Sequence, residues 1–418
     1  MQRSHMSKHV TIIGAGVIGL CTALACARRG MRVTVVEKKP QQRDGCSFGN
    51  AGMIVPSHFI PLAAPGMVRL GLKWMWNPES PFYIQPRLDL DLLKWGLHFW
   101  KASTKQHVDA AAPVLRDLSL LSRQCFEEIG LDYGLAKKGL LMLCKKQQTL
   151  DEEAHMAAKA NALGIPAEVL DAKQTAALDP GVTMDVRGSV FFPKDCHLSP
   201  SRFMAALEAE LCRMGVEFLW ETAVRGFETE GGALRAVKTS KGQVEGQEVV
   251  LCGGIWSAEL AKGLDLKLPM QAGKGYSLTL KNPKQLPELC SICTEARLAV
   301  TPMDGALRVG GTMEMTGTDE SITQRRVRGI TRAFPQYFPA FDEKDFAEVN
   351  PWSGLRPVSP DGMPYIGRTQ RWENLTIATG HAMMGLSLAP GTGKIVVDVL
   401  CGEKPPVALD LMSPDRFA

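Results

Sequence analysis

The segment IIGAGVIG at residues 12–19 constrains the fold of this chain more than any other feature. Gly14, Gly16 and Gly19 stand in G-x-G-x-x-G spacing, directly after an apolar run and at the start of an alanine-rich segment. The first glycine allows a tight turn, the second lets the backbone approach a pyrophosphate, and the third lets helix and strand pack closely. The spacing therefore predicts a strand–turn–helix unit that binds an adenine dinucleotide.

A second β-branched run follows the predicted helix of residues 17–29 and ends in Glu37. An acid at this point accepts hydrogen bonds from ribose hydroxyls and repels a 2′-phosphate. The three elements form a βαβ unit of a doubly wound sheet. The unit alone does not decide between FAD and NAD, and a glycine-rich turn in another doubly wound fold stays open.

The rest of the chain predicts a second domain of different composition. Residues 57–112 hold four tryptophans among prolines, and helical patterns follow at 114–129 and 151–163. Asp304-Gly305 separates two alternating segments, which predicts a hairpin, and residues 244–251 predict one strand. We therefore expect an α/β fold: a Rossmann-type FAD-binding domain with a second α+β substrate domain built on an antiparallel sheet. The expected ranges are 1–56, 197–268 and 350–418 for the FAD-binding domain, and 57–196 and 269–349 for the substrate domain.

Composition excludes several classes of protein. The 48 basic and 44 acidic residues give a formal charge of +4 without a long basic block, so no nucleic acid partner is expected. No run approaches the roughly 18 to 20 apolar residues of a membrane-spanning helix. Eleven cysteines, an odd number, favour a reducing cytoplasm. Cys290 and Cys293 form a CxxC without a second pair or nearby histidines, so no metal is expected. We leave residues 1–5 out of the fold as an extraneous leader.

Four further motifs carry a family resemblance. They are CSFGNAGM at residues 46–53, KGYSL at 274–278, GLRPVSPDGMPYIG at 354–367 and TGHAMMGLSLAPGTG at 379–393. With the glycine motif, they resemble the D-amino acid dehydrogenase small-subunit group of the glycine oxidase and D-amino acid oxidase (DAO) superfamily of FAD-dependent oxidoreductases. The resemblance implies amino acid catabolism, in which a D-amino acid is oxidised to an imino acid and then yields a 2-oxo acid and ammonia. It also implies hydride transfer from Cα to flavin N5, with electrons passing to a quinone or another acceptor.

The same resemblance implies FAD bound without a covalent bond, because no cysteine follows Arg356 before Cys401. Amides at a helix start near residue 385 would stabilise negative charge at the flavin N1 and O2 edge. A helix C-cap and turn is the alternative for that motif. The predicted FAD contacts are Gly14, Gly16, Val17, Ile18, Gly19, Glu37, Lys38, Ser47, Asn50, Ala51, Gly52, Met53, Val224, Gly253, Gly354, Met384, Gly385, Leu386 and Ser387.

Arg356 matches the arginine that binds the substrate carboxylate in this superfamily. A guanidinium offers a carboxylate a rigid fork of donors, and holding the carboxylate orients the Cα–H. An arginine that bonds local turn carbonyls is the alternative. Tyr276 is predicted as a second substrate contact, or else as a buried strand tyrosine. His58 is predicted to be catalytic, or else a plain loop histidine, and His381 precedes the predicted flavin-edge loop.

The predicted partners are a small amino acid and a quinone or other electron acceptor, in the cytoplasm, with a peripheral contact on the inner face of the cell membrane left open. The tryptophan-rich stretch of residues 70–100 either touches lipid or packs over the active site. Cyclic D-amino acids such as D-proline and D-hydroxyproline, glycine, sarcosine and iminodiacetate are alternative substrates. An NAD-dependent dehydrogenase and a flavoprotein kept only as a structural subunit are alternatives from other classes.

Overall fold

The computed structural model describes residues 8–74, 80–85 and 87–418. The predicted leader and Trp76 lie outside these residues. The strands are β1 His9–Ile13, β2 Arg32–Val36, β3 Met53–Ile54, β4 Phe82–Ile84, β5 Leu140–Cys144, β6 Glu168–Asp171, β7 Gly188–Phe192, β8 Cys196–His197, β9 Glu217–Leu219, β10 Val224–Glu230, β11 Ala233–Thr239, β12 Gly242–Glu245, β13 Glu248–Leu251, β14 Gln271–Leu280, β15 Cys290–Cys293, β16 Leu298–Met303, β17 Ala306–Met315, β18 Trp352–Val358, β19 Tyr365–Arg368 and β20 Leu375–Thr379.

The α-helices alternate with these strands along much of the chain. They are α1 Val17–Arg28, α2 Met67–Trp74, α3 Leu90–Ala102, α4 Lys105–Glu128, α5 Gln147–Ala162, α6 Ala172–Leu178, α7 Pro200–Arg213, α8 Ser257–Lys262, α9 Gln324–Ala333 and α10 Gly385–Cys401. Short 3₁₀ turns lie at Gly254–Trp256, Phe334–Gln336, Glu343–Phe346, Ala382–Met384 and Asp410–Met412.

A six-stranded sheet in the order β19-β20-β13-β1-β2-β9 forms the dinucleotide-binding half of the fold. All its pairings are parallel except that of β19 with β20. The first strand, helix and second strand follow the sequence prediction closely, because both strands are rich in buried β-branched residues and Gly16 is the N-cap of the helix. The Rossmann-type prediction is confirmed.

A nine-stranded sheet forms the second half, in the order β18-β14-β17-β16-β15-β5-β7-β6 with β4 paired to β17. It is mostly antiparallel, as predicted, but the pairs of β15 with β5 and β17 with β4 are parallel. The predicted hairpin joins β16 to β17, and Asp304 and Gly305 both take positive φ. Such angles are those of a tight two-residue hairpin turn.

Two sequence expectations about element bounds are wrong. The strand predicted over residues 244–251 is divided between β12, in a three-stranded antiparallel sheet with β10 and β11, and β13. Gly246 lies at the break, where an added Cβ would sit 2.4 Å from Thr11 Oγ1. Helix α4 begins earlier than predicted because the Thr104 side chain accepts a hydrogen bond from His107 N and caps it.

Helix α10 is the central helix of the first half. An added Cβ on Gly393 would lie 2.6 Å from the Cys21 carbonyl of α1, and one on Gly391 would lie 2.8 Å from Ser122 Cβ of α4. The stretch Ala382–Cys401 has the length and apolar composition of a membrane span, contrary to the sequence expectation. Of its most apolar window, 72% is buried within the protein, as in a core helix.

The division of the chain into two domains stays a prediction, and the strands of the two large sheets can be compared with its ranges. One strand departs from them: β18 pairs with β14 of the second sheet, although its residues fall in the range predicted for the FAD-binding domain. This strand carries Arg356, so the predicted carboxylate-binding residue comes from the second sheet while the glycine motif comes from the first.

A candidate cofactor and substrate site

A cavity of about 660 Å³ opens at the carboxyl ends of the parallel strands. Gly14 follows β1, Glu37 follows β2, Gly253 follows β13, and Thr379 ends β20, and all four line the cavity. In this sheet β1 lies between β13 and β2. Strands β2 and β9 lie on one side of β1, whereas the later strands β13 and β20 lie on its other side. The strand order therefore reverses between β1 and β13, and open α/β sheets bind ligands at such a point.

Only glycine fits at two positions of the glycine turn, Gly14 and Gly19. Gly14 has φ of +107°, and an added Cβ would lie 2.6 Å from the Cys252 carbonyl oxygen. An added Cβ on Gly19 would lie 1.9 Å from the Gly14 carbonyl oxygen. Both contacts are far inside van der Waals distance, so these positions keep strand, helix and cavity wall in close approach. Helix α1 then points its N-terminus, with its partial positive charge, at the cavity.

Glu37 is held rigidly at the edge of the cavity. Its Oε2 accepts from Ala15 N at 2.8 Å and its Oε1 accepts from Lys39 N at 2.9 Å. Ser47 Oγ accepts from Val17 N at 3.0 Å, which ties the loop of the CSFGNAGM motif to the start of α1. The Lys38 ammonium lies 3.3 Å from the ring centre of Trp256, and burial lowers the pKa of Lys38.

Arg356 lies on β18 and lines the same cavity. Its Nη1 donates to the Thr312 carbonyl at 2.7 Å. The guanidinium lies over Gly275 of the neighbouring strand, where an added Cβ would sit 2.0 Å from Nη2. Thr312 has φ of +65°, a conformation that a β-branched residue rarely adopts, so the carbonyl that receives Arg356 comes from a strained backbone.

The charge of Arg356 has no anionic partner in the described part of the chain. Its recorded hydrogen bond goes to a neutral carbonyl, and no ion pair with a carboxylate forms there. Burial lowers the pKa of Arg356, and nearby Cys46 opposes that effect. Because a charge that is half-buried and unpaired is costly, this cavity favours an anionic ligand beside Arg356.

Tyr276 lies on the opposite face of the sheet from Arg356. Successive side chains of a strand alternate in direction, and Gly275 is the residue beneath the guanidinium. The Tyr276 hydroxyl donates to Glu314 Oε2 at 2.5 Å, and the side chain is buried in the core of the second sheet. The structure therefore supports the reading as a buried strand tyrosine and not a contact with substrate.

His58 belongs to a chain of polar groups with Ser57 and Asp195. Its Nδ1 lies 2.9 Å from Ser57 Oγ, and that hydroxyl donates to Asp195 Oδ2. When Asp195 is ionised, the serine hydrogen goes to its carboxylate, and the Nδ1–H of His58 then donates to Ser57 Oγ. Burial and the charge of Arg297 lower the pKa of His58 to about 4. His58 does not line the described cavity, and its catalytic role stays a prediction.

His381 lines the cavity and has a fixed tautomer. Thr392 Oγ1 donates its hydrogen to the Leu388 carbonyl at 2.8 Å, so it accepts the Nε2–H of His381 at 3.0 Å. Burial lowers the pKa of His381 to about 3. The ring is therefore neutral at physiological pH, with its lone pair on Nδ1.

The structure brings many of the predicted cofactor residues to this one cavity. Those that line it are Gly14, Gly16, Val17, Ile18, Glu37, Lys38, Ser47, Asn50, Val224, Gly253, Gly385 and Leu386. The other predicted contacts do not line it: Gly19, Ala51, Gly52, Met53, Gly354, Met384 and Ser387. Gly385 begins α10, which supports the helix-start reading of its motif over a C-cap. Ser387 Oγ accepts from Val55 N and supports the wall instead of facing the cavity.

Several lining residues were missed from the sequence. Cys46 stands next to the predicted contact Ser47, and Trp256 stands three residues after Gly253, so nearness to predicted contacts was the available signal. Arg43 also lines the cavity, pairs with Glu208 at 2.7 Å and donates to the Ala15 carbonyl. Nothing in the spacing around Arg43 distinguishes it from a solvated surface charge.

The residues present fit FAD. Gly14 and Gly19 leave no room for a Cβ, which holds the strand end close to the start of α1 at the cavity. Glu37 offers carboxylate oxygens to a ribose, and Gly385 directs a helix start at the cavity. The cavity runs from these groups to Arg356, so the dinucleotide residues and the carboxylate-binding candidate share one space. The described residues contain no group of three or more His, Cys, Asp or Glu side chains placed to hold a metal ion.

Comparison with known proteins agrees with this geometry. The sequence profile of FAD-dependent oxidoreductases of the DAO type matches residues 9–399. A D-amino acid dehydrogenase of Bradyrhizobium diazoefficiens is 32% identical over 98% of this chain and 99% of its own length. One from Rhizobium rhizogenes is 31% identical over 98% of this chain and 99% of its own.

Solved structures share the fold at lower identity. Glycine oxidase from Geobacillus kaustophilus superposes with a TM-score of 0.75 at 22% identity, covering 98% of this chain and 99% of that one. L-proline dehydrogenase from P. horikoshii gives a TM-score of 0.72 at 20% identity, covering 98% of each. These structures agree in fold and differ in the substrates that they are named for.

Proposed function

Because this chain belongs to the DAO family of FAD-dependent oxidoreductases, we propose that it oxidises D-amino acids to imino acids, which water converts to 2-oxo acids and ammonia. The observation that carries this proposal is the unpaired charge of Arg356 in a cavity shared with the dinucleotide residues. The relatives at 30–32% identity over nearly the whole chain are named D-amino acid dehydrogenases, which supports the D configuration.

Each part of the proposed reaction has a place in the cavity. Arg356 pairs with the substrate carboxylate and fixes the orientation of Cα. The helix starts at Val17 and Gly385 direct amides at a bound dinucleotide, which Glu37 holds at its ribose. A bound FAD would supply the acceptor for the α-hydrogen and its electron pair, and the amine nitrogen would release a proton to solvent. Water then adds to the C=N bond and releases ammonia.

The proposal assigns no general base among the described residues that line the cavity. His381 is neutral and its Nε2–H is used by Thr392, and His58 does not reach the described cavity wall. A substrate amine that binds neutral needs no general base to lose its α-hydrogen. The proposed side-chain work is therefore binding and orientation, as is usual where a cofactor carries the chemistry.

The proposal includes a quinone as the electron acceptor and a cytoplasmic location. A dehydrogenase needs an acceptor, and a membrane quinone is consistent with the names of the relatives. All eleven cysteines lie in the described ranges as free thiols, which supports a reducing compartment.

The test is an anaerobic panel with the purified holoenzyme, scored by loss of the oxidised flavin absorbance. The panel holds D-amino acids, their L-enantiomers, D-proline, D-hydroxyproline, glycine, sarcosine and iminodiacetate. We expect D-amino acids to bleach the flavin fastest. Bleaching by L-enantiomers alone would contradict the proposal, and fastest bleaching by a cyclic or N-substituted substrate would move it to that class. A flavin that no substrate bleaches would indicate a structural subunit.

A further inference from the structure

Helix α3 carries an apolar stripe on its solvent side. Leu90, Leu93, Leu97 and Trp100 are spaced at i, i+3, i+7 and i+10, which places them on one face. Their side chains are 73%, 62%, 50% and 63% exposed. Single exposed leucines are ordinary, but a continuous stripe along one helix face marks a surface that contacts something apolar.

Helix α2 extends this surface. Its Leu72 is 59% exposed, and a shallow depression is lined by Leu72 and Arg69 of α2 together with Trp100 at the end of α3. The two helices therefore present neighbouring apolar side chains to the same side of the molecule. We call the set Leu72, Leu90, Leu93, Leu97 and Trp100 the leucine stripe.

Basic side chains border the leucine stripe. Arg69, Lys73, Lys94, Lys101 and Lys105 are exposed, and none forms an ion pair within the described ranges. The neighbouring acids are neutralised: Asp89 caps α3 and pairs with Arg87 at 3.0 Å, and Asp91 pairs with Lys262 at 2.6 Å. Amphipathic helices that lie on anionic lipid combine an apolar face of leucine and tryptophan with basic side chains beside it, as this surface does.

The inner face of α3 packs directly on the strand that carries Arg356. Trp95 Nε1 donates to the Val358 carbonyl at 2.9 Å, and Trp95 packs against Met313 and Val358 in one cluster. Phe99 stacks on Trp95 with ring centres 5.1 Å apart. One helix thus separates the leucine stripe from the strand of the proposed substrate site.

We propose that the leucine stripe docks this enzyme on the surface of an anionic bilayer. Docking there places β18, the strand that carries Arg356, one helix thickness from the membrane. A quinone dissolved in the lipid could then accept electrons without leaving the bilayer. The part concerning quinone rests on the function proposed above, whereas lipid binding stands on the stripe and its charges alone. A second copy of this chain could also cover the apolar residues. A two-fold axis would then bring the basic side chains of both copies together, and their repulsion disfavours such a dimer.

The test is co-sedimentation of the holoenzyme with vesicles of phosphatidylcholine alone and with vesicles of phosphatidylcholine and phosphatidylglycerol in equal parts. We expect binding to the mixed vesicles that weakens with added salt. The double variant Leu93→Glu/Leu97→Glu should lower the partition coefficient by about tenfold or more, since each leucine loses its transfer into an apolar phase. The matched control is Leu178→Glu/Leu286→Glu, two exposed leucines elsewhere on the surface, which should bind like the wild type.

Three outcomes would overturn the proposal. They are absence of binding to the mixed vesicles, equal binding by the stripe and control variants, and a wild-type dimer that the stripe variant converts to a monomer in light scattering. FAD content and the melting temperature of the stripe variant, whose changed residues are exposed, report its folding.

A second measurement separates this surface from the proposed function. With a soluble dye as acceptor, the stripe variant should oxidise substrate like the wild type, whereas reduction of a quinone embedded in mixed vesicles should fall with its lipid binding. Equal quinone reduction by both proteins would contradict the delivery role. Failure of both proteins to oxidise any substrate would instead count against the proposed function and would leave the vesicle result standing.

Discussion

Arg308 Nη1 donates to the Asn50 carbonyl at 2.8 Å, which joins the second sheet to the loop that follows the glycine motif. The same nitrogen donates to the Phe48 carbonyl at 2.9 Å, and Nε donates to Thr279 Oγ1 at 3.1 Å. Burial lowers the pKa of Arg308 to about 10. The loop that lines the dinucleotide cavity is therefore held by a residue from the other half of the fold.

Replacing Arg308 by lysine should weaken FAD binding. A lysine ammonium lacks the planar fork that serves both carbonyls and the threonine hydroxyl. We expect the dissociation constant of FAD to rise about tenfold, as for the loss of one charge-assisted hydrogen bond. Equilibrium titration of the apoprotein with FAD measures the dissociation constant. The control is Arg328→Lys, a change of the same kind at an exposed position. Equal affinities of the two variants would show that the link does not shape the cavity.

Replacing Arg356 should separate substrate binding from cofactor binding. In Arg356→Lys, we expect kcat/KM for D-amino acids to fall by about two to three orders of magnitude, because a buried carboxylate loses its bidentate partner. FAD content should not change, since the predicted dinucleotide residues that line the cavity come from other strands. Steady-state kinetics with a soluble dye checks this, with the exposed Arg371→Lys as control. A KM equal to that of the wild type would show that Arg356 does not bind the substrate carboxylate.

Gly275 tests the position of the Arg356 guanidinium without removing its charge. In Gly275→Ala, the new Cβ would lie 2.0 Å from Nη2, so the guanidinium must move away from the face of the strand. We expect a rise in KM of about tenfold or more with FAD retained, because a displaced donor loses its alignment with the carboxylate. Gly96→Ala, whose Cβ meets no atom within 4 Å, is the control and should leave dye-linked kinetics unchanged. An unchanged KM in Gly275→Ala would mean that the guanidinium position is not critical.

The sequence predicts the dinucleotide half of the site well because its signals are local. The glycine spacing, the flanking apolar runs and Glu37 all lie within one βαβ unit, and each takes the predicted place. The start of α10 at Gly385 is local in the same way. Signals of this kind depend on backbone geometry over a few residues, which one sequence can specify.

The substrate half is less readable because it depends on pairings between distant segments. Arg356 and Gly275 meet through the register of β14 with β18, and that register also turns Tyr276 to the other face. A bulge between Lys274 and Tyr276 shifts the register of β14 with β17, and the sequence does not indicate it. The contact of Arg308 with Asn50 crosses between the two sheets, and no periodicity in either segment indicates it. Such contacts require the assembled fold.

The stability of the protein should depend on pH through Asp195. Burial raises the pKa of this carboxyl to about 7, and the hydrogen bonds from Ser57 oppose that rise. An unfolded aspartate titrates near pH 3.9, so between about pH 4 and pH 7 the folded protein keeps a proton that the unfolded chain has released. This group therefore makes stability fall as pH rises through that window, and the loss is complete above the folded pKa.

In Asp195→Asn, the amide oxygen still accepts from Ser57 N but does not titrate, so the variant should gain up to about 4 kcal/mol relative to the wild type between pH 4 and pH 8. Urea unfolding across this range measures the difference, with the exposed Asp109→Asn as control. A constant offset between Asp195→Asn and the wild type would show that Asp195 titrates at an ordinary pH in the folded protein.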